Sequence, residues 1–459
     1  MNIESHLFNI VGDRFVTTES ADLETYGLDW TRFYTPAASA IVFPQSAEQV
    51  QQLVELARKE EIRLVPSGGR TGLSGGACAT DGEIVVSFDR MNQITGFNAS
   101  DSSVTVQPGV VTAALQDFAA ENGLYYPVDF ASSGSSQIGG NIATNAGGIR
   151  VIRYGMTRDW VSGLKVVTGT GELLDLNRGL VKNNTGYDLR HLFIGSEGTL
   201  GFIVEATMQL TQPPLDASVV LLAVPAMEHC LGILDRFRGK VTLNAFEFFS
   251  DLAVNHVVNA NDMAKPFVKP SPFYVLLEFE HTHDDSMDCV LEAYEDCIAS
   301  GIATDAVVSS SQQQNLDLWQ YRERISEAIT PLTPYKNNIS VRVGRTPEFL
   351  AAIDAVITRH HPDFEVLWYG HIGDGNLHLN ILRPESWSIS DFKNACDDMN
   401  DFILEVVRNF DGSISAEHGV GLLKKNHLPF TRSATEIEAL QSIKRTFDPD
   451  GIMNPGKLL

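Results

Sequence analysis

Two histidines seven positions apart and a distant glutamate–histidine pair are the residues of this chain best suited to chemistry. Residues 370–380 read GHIGDGNLHLN and residues 416–419 read AEHG. His371, His378 and Glu417 together offer two imidazoles and a carboxylate. Such a set can hold Zn²⁺ or another divalent metal and leave a coordination position open for water or substrate. His418 adds an imidazole beside that carboxylate; with an unperturbed pKa near ~6.5 it suits a general base. Two histidines near a turn are, by themselves, ordinary hydrogen-bonded residues, so the weight lies on the combination.

The elements that must position these groups can be read from periodicity. VLWY before Gly370 and LHLNIL after Asn376 alternate like strands, and IGDGN between them is turn chemistry, so the segment is expected to form a hairpin. Alternation puts His378 and Asn380 on one face. His371 can converge on that face from the exit of the first strand, and Glu417 must arrive from elsewhere. Upstream, LWQYRERISEAI reads as one helix, in which Arg322 and Ser326 are four apart and share a face. Lys336 follows after a proline-punctuated turn. Basic residues of this kind are normally solvated or paired with a neighbour such as Glu323. They serve a site only if their face meets the hairpin.

A different texture fills the first half of the chain. AIVFP is a strand, and Ser46 with Gln49 opens a helix whose apolar face is Val50, Leu53, Val54 and Ala57. IRLVP then runs straight into SGGRTGLSGG, residues 67–76. This loop has neither the spaced glycines of a dinucleotide-binding turn nor the lysine of a P-loop. Five glycines with Ser67, Thr71 and Ser74 favour backbone amides presented to a phosphate. Residues 132–148, SSGSSQIGGNIATNAGG, are too small for a core and would let backbone approach a flat ligand closely. A third segment, NNTGYDLRHLFIGSEGTLGFI, places Gly195, Gly198 and Gly201 at the entry to a strand. The strands EIVVSF, SVTVQPGV and LKVVTG lie between these segments, so they read as a cradle along an extended cofactor rather than as linkers.

Composition limits what the chain can be. Its 459 residues allow two or three domains. With 34 basic and 58 acidic residues, the net charge of -24 argues against nucleic acid or an anionic membrane as a partner. The five cysteines are scattered without a CxxC pair, which points to reduced thiols in a cytoplasmic protein without an iron–sulfur cluster. No secretory signal and no transmembrane segment is visible. After Pro213 and Pro214 the pattern changes to long alternating strands (SVVLLAV, TLNAFEFF, FYVLLEFE), which we read as a separate α+β domain. A helix is expected from about Ser390 to Phe410, and the ending FDPDGIMNPGKLL should dock rather than fold alone.

The motifs PSGGRTGLSGG, VQPGV, SSQIGGNIATNAGG, YGMTRDWV and FIGSEGTLGF resemble the FAD-binding segments of the vanillyl-alcohol-oxidase/PCMH flavoprotein superfamily. GHIGDGNLHLN, SAEHGVG and GIMNPGK resemble its FAD-linked D-2-hydroxyacid dehydrogenase branch, and the resemblance covers nearly the whole chain. It implies an α+β fold: a PCMH-type FAD-binding domain of two α+β subdomains (1–213), an α+β substrate and metal domain with an antiparallel sheet (214–425), and a C-terminal segment docking back on the FAD domain (426–459).

The resemblance also implies roles. Pro66, Ser67, Gly68, Gly69, Arg70, Thr71, Gly72, Leu73 and Ser74 would hold the FAD pyrophosphate. Ser135, Gly139, Gly140, Asn141, Thr144, Gly147 and Gly148 would line the flavin, and Glu197, Gly198 and Asn454 would complete its pocket. Some relatives link FAD covalently through a histidine in the first loop; Arg70 stands there instead, so non-covalent FAD is expected. His371, His378 and Glu417 match the metal ligands and His418 the catalytic histidine, which also binds substrate. Arg322, Ser326, Lys336 and Asn380 match positions that hold substrate oxygens, with Ser326 where some relatives have threonine.

The implied reaction oxidises a small D-2-hydroxy acid, 2-hydroxyglutarate ahead of lactate, with proton transfer to His418 and hydride transfer to the flavin. Reoxidation then needs an external acceptor, an electron-transferring flavoprotein or a quinone. A homodimer is left open. Two other classes compete: a metal-dependent hydrolase, which would not need three glycine-rich segments, and a nucleotide-binding module without catalysis, which would not need the metal set.

Overall fold

The computed structural model describes residues 3–31 and 33–459. Two compact units account for the chain. The first gathers Met1–Gly148, Gly155–Pro213 and Glu417–Leu459; the second gathers Ile149–Tyr154 and Pro214–Ala416.

The first unit carries two sheets. Strands β1 (Val16–Thr17), β2 (Ala40–Val42), β3 (Leu64–Ser67) and β4 (Ile84–Ser87) form one sheet in the order β1-β2-β4-β3, with β2, β4 and β3 parallel. Strands β5 (Ile94–Asn98), β6 (Ser103–Val106), β7 (Val161–Thr168), β8 (Leu173–Leu176) and β9 (Gly201–Gln209) form an antiparallel sheet in the order β5-β6-β9-β7-β8. Between β2 and β3 runs the helix Ala47–Lys59. The Ser46 side chain accepts the Gln49 amide at its start, and Val50, Leu53, Val54 and Ala57 are buried. They meet Val42, Leu64 and Val86 of the smaller sheet in one apolar core. Because β3 is buried and runs parallel to its neighbour, the glycine-rich loop that follows leaves from its C-terminal end, where such sheets bind ligands.

The second unit is built on one seven-stranded sheet. Its strands are β10 (Ala217–Val224), β11 (Thr242–Ser250), β12 (Phe273–Glu280), β13 (Asp305–Val308), β14 (Tyr335–Ser340), β15 (Glu365–His371) and β16 (Asn376–Leu382), in the order β13-β10-β12-β11-β15-β16-β14. All its pairings are antiparallel. Apolar residues on one face (Val219, Leu221, Phe249, Leu276, Leu367, Tyr369) pack against helical residues such as Val254, Trp319 and Ile325. The helix expected near Ser390 runs Ile389–Asn409, with Ser388 accepting the Asp391 amide at its N-terminus.

Two sequence expectations need correction. The stretch LWQYRERISEAI is not one helix: Gln312–Glu323 and Ile325–Ile329 are two helices that meet at Arg324, whose φ of -82° and ψ of 0° lie at the edge of the right-handed region. Tertiary anchors outweigh helix propensity there, because Arg324 reaches the Asn261 side chain at 2.6 Å while Arg322 is drawn to Glu247. Arg322 and Ser326 therefore lie on two successive helices. Secondly, residues 417–425 belong with the first unit, and Ile149–Tyr154 with the second. The Glu197 carboxylate accepts the Val420 and Gly421 amides, both at 2.7 Å. Residues 149–154 are held by Arg150 and Tyr154, which reach Glu278 and Glu280 at 3.3 and 3.2 Å.

Candidate functional site

A cleft with a cavity volume of about 140 Å³ opens in the first unit. Pro66, Gly68, Gly69, Arg70, Thr71, Gly72 and Ser74 line it from the first glycine-rich loop. Gly139, Gly140, Asn141 and Thr144 line it from the second, and Glu197 and Gly198 from the third. The first two loops touch through backbone: a Cβ on Gly69 would collide with the Ser135 carbonyl oxygen, so only glycine fits. Ser67, Leu73, Ser135, Gly147, Gly148 and Asn454 do not line the cleft. Asn454 instead acts behind it, donating from Nδ2 to the carbonyls of Gly76 and Glu197 at 2.8 and 2.7 Å.

Three buried polar atoms at this cleft bear on what it could hold. Asp29 Oδ2 and Gln137 Oε1, both in the lining, and Ser67 Oγ beside it are buried without a hydrogen-bond partner among the described residues. Buried polar atoms are normally satisfied, so these fit a cofactor rich in hydroxyl, amide and phosphate groups. Asp29 had no signal in the sequence, because it lies outside every glycine-rich segment. Arg70 is held in place by the Gly68 carbonyl at 3.0 Å and by the Tyr26 ring, 4.3 Å beneath its guanidinium. Glu197 spends both carboxylate oxygens on backbone amides; burial raises its pKa, while those amides and Lys424 oppose the shift.

In the second unit the polar residues share one sheet face. Register places Tyr369, His378 and Asn338 side by side on β15, β16 and β14, then Leu367, Asn380 and Lys336 in the next row. His371 and Asn376 form the row at the hairpin turn. Gly370 makes this possible: at φ 154° a Cβ would lie 2.5 Å from the Asn376 carbonyl oxygen. The His371 and His378 rings are 5.3 Å apart at 78°. The amide of Ala416 donates to Asn338 Oδ1 at 3.1 Å, and Asn338 Nδ2 lies 3.1 Å from His378 Nδ1. Ligand atoms of His371, His378 and Glu417 all lie within 4.8 Å of one another. Two imidazoles and one carboxylate at this spacing could hold a divalent cation and leave a position open.

Two supporting residues escaped the sequence reading. Glu247, fully buried on β11, bonds His371 Nδ1 at 2.7 Å and Arg322 Nε at 2.7 Å. Its one signal was an acidic residue inside the apolar strand NAFEFF, and Asn338 gave none. Arg322 is buried, and its guanidinium lies 4.7 Å over the Tyr369 ring. Lys336 Nζ donates to Ser326 Oγ at 3.2 Å, and no carboxylate pairs with it among the described residues. Asn380 is buried and turns its Nδ2 to the His378 carbonyl at 3.2 Å. Nε2 of His418 lies 3.8 Å from Glu417 Oε2, and its backbone carbonyl accepts from Ser74 Oγ at 2.7 Å.

Comparison with known proteins agrees with both halves. Residues 38–177 match the model of an FAD binding domain, and residues 213–458 that of the FAD linked oxidases, C-terminal domain. A D-2-hydroxyglutarate dehydrogenase of Stutzerimonas stutzeri is 56% identical over 443 residues, 96% of this chain and 96% of the relative. One from Xanthomonas citri is 53% identical over 441 residues, covering 96% and 93%. The crystal structure of p-cresol methylhydroxylase with substrate bound superimposes with a TM-score of 0.75 over 99% of this chain and 96% of that chain, at 16% identity. That likeness establishes the fold. Among the described residues no helix is long and apolar enough to cross a membrane. The cleft, its glycine-rich walls and both matched regions place this chain in the FAD-linked oxidase family, as an FAD-dependent oxidoreductase of the vanillyl-alcohol-oxidase/PCMH fold.

Proposed function

We propose that this chain is a cytoplasmic FAD- and divalent-metal-dependent dehydrogenase that oxidises D-2-hydroxyglutarate to 2-oxoglutarate. The observation that carries the substrate is Lys336: an ammonium that among the described residues bonds the Ser326 hydroxyl and no carboxylate, on the sheet face that also bears His378. The names of the two bacterial relatives support the same reading. A monocarboxylate would leave that cation without a partner, whereas a diacid gives it one.

When bound, FAD supplies a two-electron acceptor and the divalent cation supplies polarisation of the substrate oxygens. The protein's own groups do the rest. The cation would be held by His371, His378 and Glu417, with zinc the natural choice for this donor set. His418 receives the substrate hydroxyl proton on its imidazole, and Glu417 Oε2, 3.8 Å from Nε2, stabilises the imidazolium. Lys336 and Ser326 grip the distal carboxylate. Arg322, with Nε already bonded to Glu247, keeps Nη1 and Nη2 for a substrate oxygen. The net charge of -24 opposes a dianion at long range, but screening over ~8 Å leaves capture to these nearby cations. Electrons then leave for an external acceptor, an electron-transferring flavoprotein or a quinone.

Turnover of a panel of D-2-hydroxy acids with a dye acceptor tests the reading. We expect 2-hydroxyglutarate to give the highest kcat/KM, with malate behind it. A higher value for lactate would overturn the diacid assignment, and activity without bound flavin would overturn the reaction class.

A further inference from the structure

We infer that Glu247 is a positioning residue that sets two things with one carboxylate: the ligating tautomer of His371 and the placement of Arg322. This rests on the metal-dependent reading above and extends it to a residue outside the ligand set. Glu247 sits in the run TLNAFEFFS of β11, where every position from Leu243 to Phe249 is buried. A charge there is costly unless it is fully paired. Register explains the pairing: Phe249 stands opposite Tyr369 and Phe248 opposite Gly370, so Glu247 falls beside His371.

Both oxygens are committed. Oε1 lies 2.7 Å from His371 Nδ1, and Oε2 accepts from Arg322 Nε at 2.7 Å. An ionised carboxylate can only accept, so the hydrogen between Glu247 and His371 must sit on Nδ1. A neutral His371 then keeps its lone pair on Nε2, the nitrogen that would ligate a cation. The same carboxylate fixes the guanidinium edge of Arg322 over the Tyr369 ring, 4.7 Å away, and leaves Nη1 and Nη2 without a hydrogen-bond partner among the described residues. Metal capture and the grip on a substrate oxygen therefore share one support.

A purely structural ion pair would also bury Glu247, and the amide isostere separates the two roles. Gln has one acceptor oxygen and one NH₂ donor, yet it would face two N–H donors. If its oxygen serves Arg322, its NH₂ points at His371, which answers by moving its hydrogen to Nε2 and giving up the ligating lone pair. In Glu247→Gln we expect the dissociation constant for Zn²⁺, measured by chelator competition on FAD-loaded protein, to rise about 10- to 100-fold. Side-chain ¹⁵N NMR of histidine-labelled, metal-stripped wild-type protein should show His371 protonated at Nδ1 and bare at Nε2, the signal being assigned by its loss in His371→Asn. Unchanged Zn²⁺ affinity in a folded Glu247→Gln protein overturns the inference, whatever its melting temperature. Should that variant not fold, the NMR result decides, and a hydrogen on Nε2 of wild-type His371 overturns the inference equally. Wild-type protein that takes up no divalent cation would instead sink the metal-dependent reading, an outcome distinct from either.

Discussion

The hydroxyl of Ser74 donates a 2.7 Å hydrogen bond to the backbone carbonyl of His418, joining residues 344 positions apart. The Ser74 carbonyl in turn accepts the amides of Leu422 and Leu423 at 2.9 and 3.2 Å. A residue of the glycine-rich cofactor loop thus anchors the backbone that carries the proposed base. Ser74→Ala should keep the fold and lower kcat several-fold at saturating FAD, in line with ~0.5–1.5 kcal/mol for one hydrogen bond. Steady-state kinetics with added FAD would read this, and an unchanged kcat would mean that His418 is positioned by other contacts.

The cofactor should be releasable. Arg70, fastened to the Gly68 carbonyl and the Tyr26 ring, offers no nucleophile for a covalent link. The purified protein should be yellow, and acid precipitation should leave FAD in the supernatant. Flavin that stays with the precipitate would contradict the non-covalent assignment.

Removing the cation should separate the two halves of the chemistry. Incubation with a chelator should abolish turnover while the flavin spectrum remains, and Zn²⁺, Co²⁺ or Mn²⁺ should restore activity. His378→Ala should behave like the stripped wild type and resist rescue, because one of three donors is gone. Full activity in metal-free protein, checked by elemental analysis, would refute metal dependence.

Lys336 should impose a pH limit on binding. Its pKa is lowered from the ordinary 10.5 by the protein packed around it, although solvent still reaches the side chain. The cationic form holds the carboxylate, so KM for 2-hydroxyglutarate should rise with pH below the usual lysine range. Folding has the opposite sign: between the lowered value and 10.5 the unfolded chain binds more protons, and rising pH favours the native state. Lys336→Met should raise KM for the diacid on the order of 30-fold or more and remove its alkaline rise. A KM–pH profile identical to wild type would take Lys336 out of the substrate site.

Gly370→Ala should damage the hairpin beside His371. A Cβ would sit 2.5 Å from the Asn376 carbonyl oxygen at a φ that side chains rarely adopt. The strain should cost ~1–3 kcal/mol and weaken Zn²⁺ binding together with the melting temperature. A variant with wild-type melting and metal affinity would show that the turn adapts freely.

Local signals were legible in the sequence and nonlocal partners were not. The hairpin around residues 370–380 announced itself by alternation and turn chemistry, and the glycine-rich segments by composition. Glu247 could not be placed, because its meaning depends on which strand lies beside β15, a pairing across 124 positions. Asn338 was hidden for the same reason: its task is to tie His378 to the amide before Glu417. The break at Arg324 also escaped, since helix propensity runs unbroken through RERISE and only contacts to Asn261 and Glu247 reveal why it bends.

The route of the chain dictates an order of assembly during synthesis. Residue by residue, the second unit is finished once Ala416 has left the ribosome, although the first unit was begun long before it. Until residues 417–459 follow, the Glu197 carboxylate lacks the amides of Val420 and Gly421, and β3 lacks the pairing of Leu64 with Ile452 and Asn454. The usual amino-to-carboxyl order of domain completion is therefore reversed. The flavin cleft, whose first loop emerges early, gains its last backbone supports only after residues 417–459 have been made.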